Sequence, residues 1–335
     1  MYEFATGVID VWEKKILSAL DQERMLKAPD KGSAFMVLFD TDLSEFISGK
    51  AQQVNIEEVF LQDLSTLKAK LNSILDDRGL LTSFLFLKFD ALNLKDIFKK
   101  IFFEENTKNF RPFEVSIEPY KKVEGFVRNS LKNSQKDGSF AEKPLNVYVE
   151  TLALQALKVL NNIKDEGQIM GSQAIERAVD RAYFKVKLSL AKKENALLEM
   201  TRLEIDLANL RNLLGKGGQI FLEGGNLTNA QIKGLAEGKE EDLSNNLKKF
   251  LEGLELEFLL EGLEGKVLDT AFERKLDSYI AKKIFQKEKE KGSGIEKVLA
   301  FFQKKMNSYT NIRLILFAKE NNLKVEEIEK VLLPI

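Results

Sequence analysis

The stretch 90-DALNLKDIF-98 decides how this chain is read. Asp90, Asn93, Leu94 and Ile97 fall at i, i+3, i+4 and i+7, so on a helix they share one stripe. A stripe of that spacing faces a core, yet two of its four members are polar. The spacing returns in 206-DLANLRNLL-214, with Asp206, Asn209, Leu210 and Leu213. It returns again in 308-SYTNIRLIL-316, with Ser308, Asn311, Ile312 and Ile315. A basic residue follows at the same place each time, as Lys95, Arg211 and Arg313. One such stripe marks almost any core-facing helix. Three that share the asparagine and the base point to one helical unit used three times.

The similarity extends beyond the motif. Downstream lie Val115, Tyr120 and Val123, then Leu227, Ile232 and Leu235, then Leu323, Ile328 and Val331, with the same internal spacings in each set. Upstream of each motif a long amphipathic pattern occurs, in which Asp180 and Tyr183 match Asp269 and Phe272, and Glu57 and Phe60 stand for the first copy. A unit of roughly 100 residues is far longer than a solenoid repeat. The expected organisation is therefore residues 1–140 for N-terminal helices plus the first unit, 141–240 for the second and 241–335 for the third.

Five prolines occur in 335 residues, at 29, 112, 119, 144 and 334, and none interrupts a strongly periodic run. Apolar spacings of three and four dominate, so the fold class is all-α. Helices are expected at residues 4–20, 21–28, 56–77, 80–104, 118–133, 145–163, 172–193, 196–214, 240–264, 267–291, 294–320 and 325–333. The segment 134–144 reads as a loop or linker. Thr228 and Gln231 have the spacing of a capping box, and glycine at Arg78-Gly79 suits a helix end. Phenylalanine at helical spacing reads mainly as core, and in 84-FLFLKF-89 and 99-KKIFFEE-105 it falls on more than one helical face, which leaves one face open to a partner.

Composition narrows the chemistry. Cysteine and histidine are both absent, which removes thiolate zinc sites, cysteine nucleophiles and the commonest general base and metal ligand. Asp90 and Asp206 could act as carboxylates for acid–base work or a hard metal. Ser308 at the third position and the lack of further ligands nearby favour hydrogen bonding for structure. The three asparagines are expected to bond backbone at an adjoining helix end, because an unpaired buried amide costs about 1–3 kcal/mol. The glycine-rich 213-LLGKGGQIFLEGG-225 and 261-EGLEGK-266 fit neither phosphate-loop spacing and follow no strand. No catalytic residue, cofactor or metal is assigned.

The 51 basic residues stand against 52 acidic ones, a net charge of −1. This gives no global field for nucleic acid. The opening MYEFATGVIDVWEKK lacks a basic-then-apolar leader, and 80-LLTSFLFLKF-89 is too short for a span and carries Lys88. The expected location is cytoplasmic.

The motif [DE]-x-x-N-[LI]-[KR], as DALNLK, DLANLR and SYTNIR, resembles that of the central-stalk subunit of V/A-type rotary ATPases, lettered C in prokaryotes and d in eukaryotes. The segments ATGVIDVWEKKILSALDQERMLKA, FDTDLSEFI, FLEGGNLTNAQIKGLAEG and the ending from Gly294 are similar to that family's signatures in order and spacing. Ser308 departs from the family's usual acid, and Ile312 from its usual leucine.

The resemblance implies three similar helical domains in a pseudo-threefold, funnel-like arrangement. It also implies a non-catalytic rotor subunit, one copy per complex, peripheral to the membrane through the rotor ring. Such a protein would receive shaft subunits D and F and couple them to proton or sodium transport. A different protein class remains open: an all-α repeat adaptor for a soluble partner.

Overall fold

A serine sets the first joint of the chain. Ser18 Oγ accepts from the Asp21 N–H at 3.1 Å, and Asp21 Oδ2 accepts from the Ser18 N–H at 3.1 Å. This capping box starts a helix at Ala19. The expected continuous helix over 4–20 is therefore two helices, broken across Lys14–Ser18. The Lys15 carbonyl, released from helical bonding there, accepts from the Asp42 N–H at 2.8 Å.

The computed structural model describes residues 2–47, 54–75, 79–103, 112–133, 145–165, 171–214, 221–227 and 270–335. Among them are thirteen α-helices, a 3-10 turn at Val37–Asp40 and no strand. The helices are α1 (Glu3–Glu13), α2 (Ala19–Lys27), α3 (Lys31–Met36), α4 (Ser44–Ile47), α5 (Ile56–Ile74), α6 (Leu80–Phe103), α7 (Tyr120–Asn133), α8 (Val147–Asp165), α9 (Ser172–Ala191), α10 (Asn195–Leu214), α11 (Thr270–Lys291), α12 (Ile295–Glu320) and α13 (Val325–Glu329). The chain is all-α, as its apolar spacing dictates. The loop 134–144, residues 215–220 of the glycine cluster, the Thr228–Gln231 box, the helix expected at 240–264, and Asp269, Ile232 and Leu235 lie outside the described residues.

Two compact units are present, one of residues 1–63 with 202–335, the other of residues 64–201. The sequence boundaries at 140 and 240 concern repetition of a pattern rather than compactness.

The unit of residues 64–201 is built around α6, which packs against α7, α8 and α9. Leu81, Phe84, Phe86, Phe89, Ile97 and Phe98 are all at most 4% exposed. Phe84, Phe86, Phe89 and Phe98 are core, as their helical spacing suggests, and none of the four offers a face to a partner. Phenylalanine occupies several faces because neighbours pack on most sides of the helix, Leu92 at 40% exposure marking the open one.

The other unit is organised by α12, which contacts α1, α2, α3, α11 and α13. Lys305 is buried in it, 2.5 Å from both Asp42 and Asp63. The Tyr309 hydroxyl donates to Asp63 at 2.6 Å, and its ring lies 4.5 Å from that of Phe60. Pairing of this kind is what makes a buried charge tolerable.

Candidate functional site

Each motif asparagine closes the same two-bond ring. Asn93 Nδ2 donates to the Phe113 carbonyl at 3.0 Å, and its Oδ1 accepts from the Phe113 N–H at 2.8 Å. Asn209 does the same with Leu222, at 2.9 and 2.7 Å. Asn311 does so with Leu333, at 2.8 and 2.9 Å. All three side chains are at most 1% exposed, and Leu94, Leu210 and Ile312 beside them are equally buried.

The partners differ from expectation in kind. Phe113, Leu222 and Leu333 belong to no helix. A helix end frees donors at one terminus or acceptors at the other. A residue outside a helix leaves both groups open to bonding, and that pair matches one amide. This also explains why the helix expected over 325–333 stops at Glu329: Leu333 must be out of it to meet Asn311.

The acids extend the clamp in two copies. Asp90 accepts from the Ile117 and Glu118 N–H groups at 2.7 and 3.1 Å. Asp206 accepts from the Asn226 and Leu227 N–H groups at 3.0 and 3.3 Å, and from Asn226 Nδ2 at 2.9 Å. In both, the bonded amides lie four and five residues beyond the asparagine's partner. Gly225 presses against this carboxylate, since a Cβ there would lie 2.0 Å from Asp206 Oδ1. Ser308 departs: its hydroxyl donates to the Lys304 carbonyl of its own helix at 2.8 Å.

Order within the loops departs as well. Phe113 and Leu222 precede the patterns beginning at Val115 and Leu227, whereas Leu333 follows Leu323, Ile328 and Val331.

The motif bases reach a second helix. Lys95 Nζ lies 2.7 Å from Asp180, Arg211 2.6 Å from Asp277, and Arg313 2.5 Å from Glu57. Every pair is contained in one compact unit. By residue number, the pairs join the range 1–140 to 141–240, 141–240 to 241–335, and 241–335 to 1–140. Sequence matching pairs Asp180 with Asp269. The carboxylate that meets Arg211 is Asp277, eight residues later. The signal for it is an apolar–acidic dipeptide, present as Ile56-Glu57, Val179-Asp180 and Leu276-Asp277.

Burial governs the electrostatics. It pushes Asp90 up to about 7 against the pull of its two N–H donors and of nearby Lys68. Burial raises Asp206 and Asp180 as well. Asp90 and Asp206 already bond main-chain amides, and no group of three or more carboxylates among the described residues could hold a metal. What the arrangement can do is fix loops to helices and helices to each other.

These features define a class, an all-α protein whose recurring polar residues are joints between elements. The chain belongs to the family of ATP synthase (C/AC39) subunits, whose pattern matches residues 5–331. That is the C/d family of V/A-type ATPases, and the match takes in all three motif helices. No curated protein matches the chain significantly. No helix among the described residues is long and apolar enough to cross a membrane.

Proposed function

We propose that the chain is the non-catalytic central-stalk subunit of a V/A-type rotary ATPase. It sits peripherally on the membrane rotor ring, on the cytoplasmic side, and couples shaft subunits D and F to proton or sodium movement. The observation that carries this is the family match running from residue 5 to residue 331.

The proposal includes a triple use of one helical unit in a pseudo-threefold arrangement. Three identical asparagine clamps support it, as does the cyclic order of the Lys95, Arg211 and Arg313 ion pairs. A torque coupler needs parts that do not slip under load, and close-packed interiors transmit strain. Clamps that tie each loop to its helix by two bonds add directional stiffness that apolar contacts lack. Docking on ring and shaft requires interfaces above roughly 1,000 Å² with local charge complementarity.

The test is rebinding. The purified chain should sediment with membranes that carry the rotor ring, and should stay in solution with membranes that lack it.

A further inference from the structure

Behind the third clamp lies a cleft of about 620 Å³, bounded by α2, α11 and the segment from Glu329 to Pro334. Its far wall is held in place by the clamp itself. Asn311 grips Leu333 through both backbone groups, and Asn307 Nδ2 donates to the Pro334 carbonyl at 2.6 Å. Asn311 also donates to Gln22 Oε1 at 3.0 Å. The acceptor of Gln22 is thus occupied, and its amide hydrogens remain as donors on the α2 wall.

The charge in this cleft is predominantly positive, four cations against two acids. Arg274, Lys275, Lys282 and Lys330 line it, and among the described residues none of them meets a carboxylate. Of the two lining acids, Glu23 is bonded to Lys27, and Glu329 lies in the field of the same lysine. Ser278 and Gln22 add neutral donors. The site therefore wants an acceptor-rich anion.

The cations are strung out rather than converged. Arg274 to Lys282 covers eight residues of α11, about 12 Å along the helix axis, with Ser278 between them on the same side. A single phosphate group fits such a row poorly, while carboxylates spaced along a peptide match it. Four extended residues cover the same length.

We infer that this cleft receives an acidic peptide segment of a partner protein, held by Arg274, Lys275, Lys282 and Lys330. This goes beyond the rotor assignment and does not need it. The anchor points lie on α11 and on the segment that Asn311 fixes, so the groove is preformed and little ordering accompanies binding.

The probe is a fluorescein-labelled glutamate-rich peptide of about eight residues, added to the full chain at about 150 mM salt, where non-specific attraction is screened. Anisotropy should show saturable binding that the double variant Lys275→Glu/Lys282→Glu weakens about tenfold or more. Lys14→Glu/Lys15→Glu, which reverses two exposed lysines outside the cleft, should leave it within about twofold. Circular dichroism should be unchanged in both, since all four lysines are exposed. Absence of saturable binding, or equal weakening by both variants, would overturn the inference. So would displacement of the peptide by inorganic triphosphate at lower concentration than by unlabelled peptide. None of these outcomes bears on binding to the rotor ring, because no membrane is present.

Discussion

Arg313 forks onto Glu57. Nε donates to Oε1 and NH2 to Oε2, each at 2.5 Å, and the guanidinium carbon lies 4.8 Å from the centroid of the Phe60 ring. Two hydrogen bonds and a ring contact fix one side chain at three points.

Both side chains are nearly half exposed, at 44% and 48%, so water screens the pair and its worth is about 1 kcal/mol or less. Arg313→Glu and Glu57→Arg should each lower the unfolding free energy by about that amount. The double exchange should restore most of it, as read by urea denaturation. Arg313→Lys should behave as a partial loss, because an ammonium cannot make the fork. Single losses that simply add in the double variant would show that the two residues do not act together.

The asparagine clamp should matter more. Asn209→Ala leaves the buried Leu222 N–H and C=O without partners, at about 1–3 kcal/mol for each group. A loss of about 2 kcal/mol or more is expected, against less than about 1 kcal/mol for Ser308→Ala, whose hydroxyl bonds only within α12. An unchanged unfolding free energy for Asn209→Ala would refute the role of the clamp.

At Gly225 the requirement is space. A methyl group there overlaps Asp206 Oδ1, and the neighbouring atoms Asp206 Cγ and Ile205 Cγ2 leave it no room. Gly225→Ala should displace the carboxylate from the Asn226 and Leu227 amides and cost about 1–3 kcal/mol. In the Asp206→Ala background the same change should cost far less, because the obstructing carboxylate is gone. Equal costs in the two backgrounds would place the strain elsewhere.

Asp90 gives stability a pH dependence with a definite sign. Its carboxyl is held at about 7 in the folded chain, above its ordinary value near 4. The folded state therefore keeps a proton that the unfolded state has released. The contribution is present in full below about pH 4 and is lost as pH rises through about 7. Lys68 and Glu118 act on the same carboxyl with opposite signs, and burial outweighs both. Unfolding free energy should fall more between about pH 5 and pH 8 in the wild type than in Asp90→Asn. Parallel curves would show that Asp90 does not titrate in this window.

Much of this architecture is written in apolar spacing. The helix expected at 80–104 is α6, and that expected at 172–193 is α9 to within two residues, because long periodic runs leave one solution. What spacing cannot show is which loop residue an amide will find. Phe113, Leu222 and Leu333 are unremarkable in sequence and differ in distance from their asparagines, so the clamps are visible only in three dimensions. Phenylalanines around α6 are ambiguous for a related reason: a helix buried on most sides and a helix with a docking face share a pattern. The break at Ser18 is legible as Ser-x-x-Asp, but strong apolar periodicity on both sides masks it.

Coupling to a membrane rotor ring is the central claim. Membranes bearing the intact rotary complex, stripped of the soluble sector, should be mixed with the purified chain and sedimented beside membranes lacking the complex. Saturable co-sedimentation with the first and none with the second is the predicted result. Protein that is folded by circular dichroism yet stays in the supernatant, or that binds both membranes alike, would contradict it.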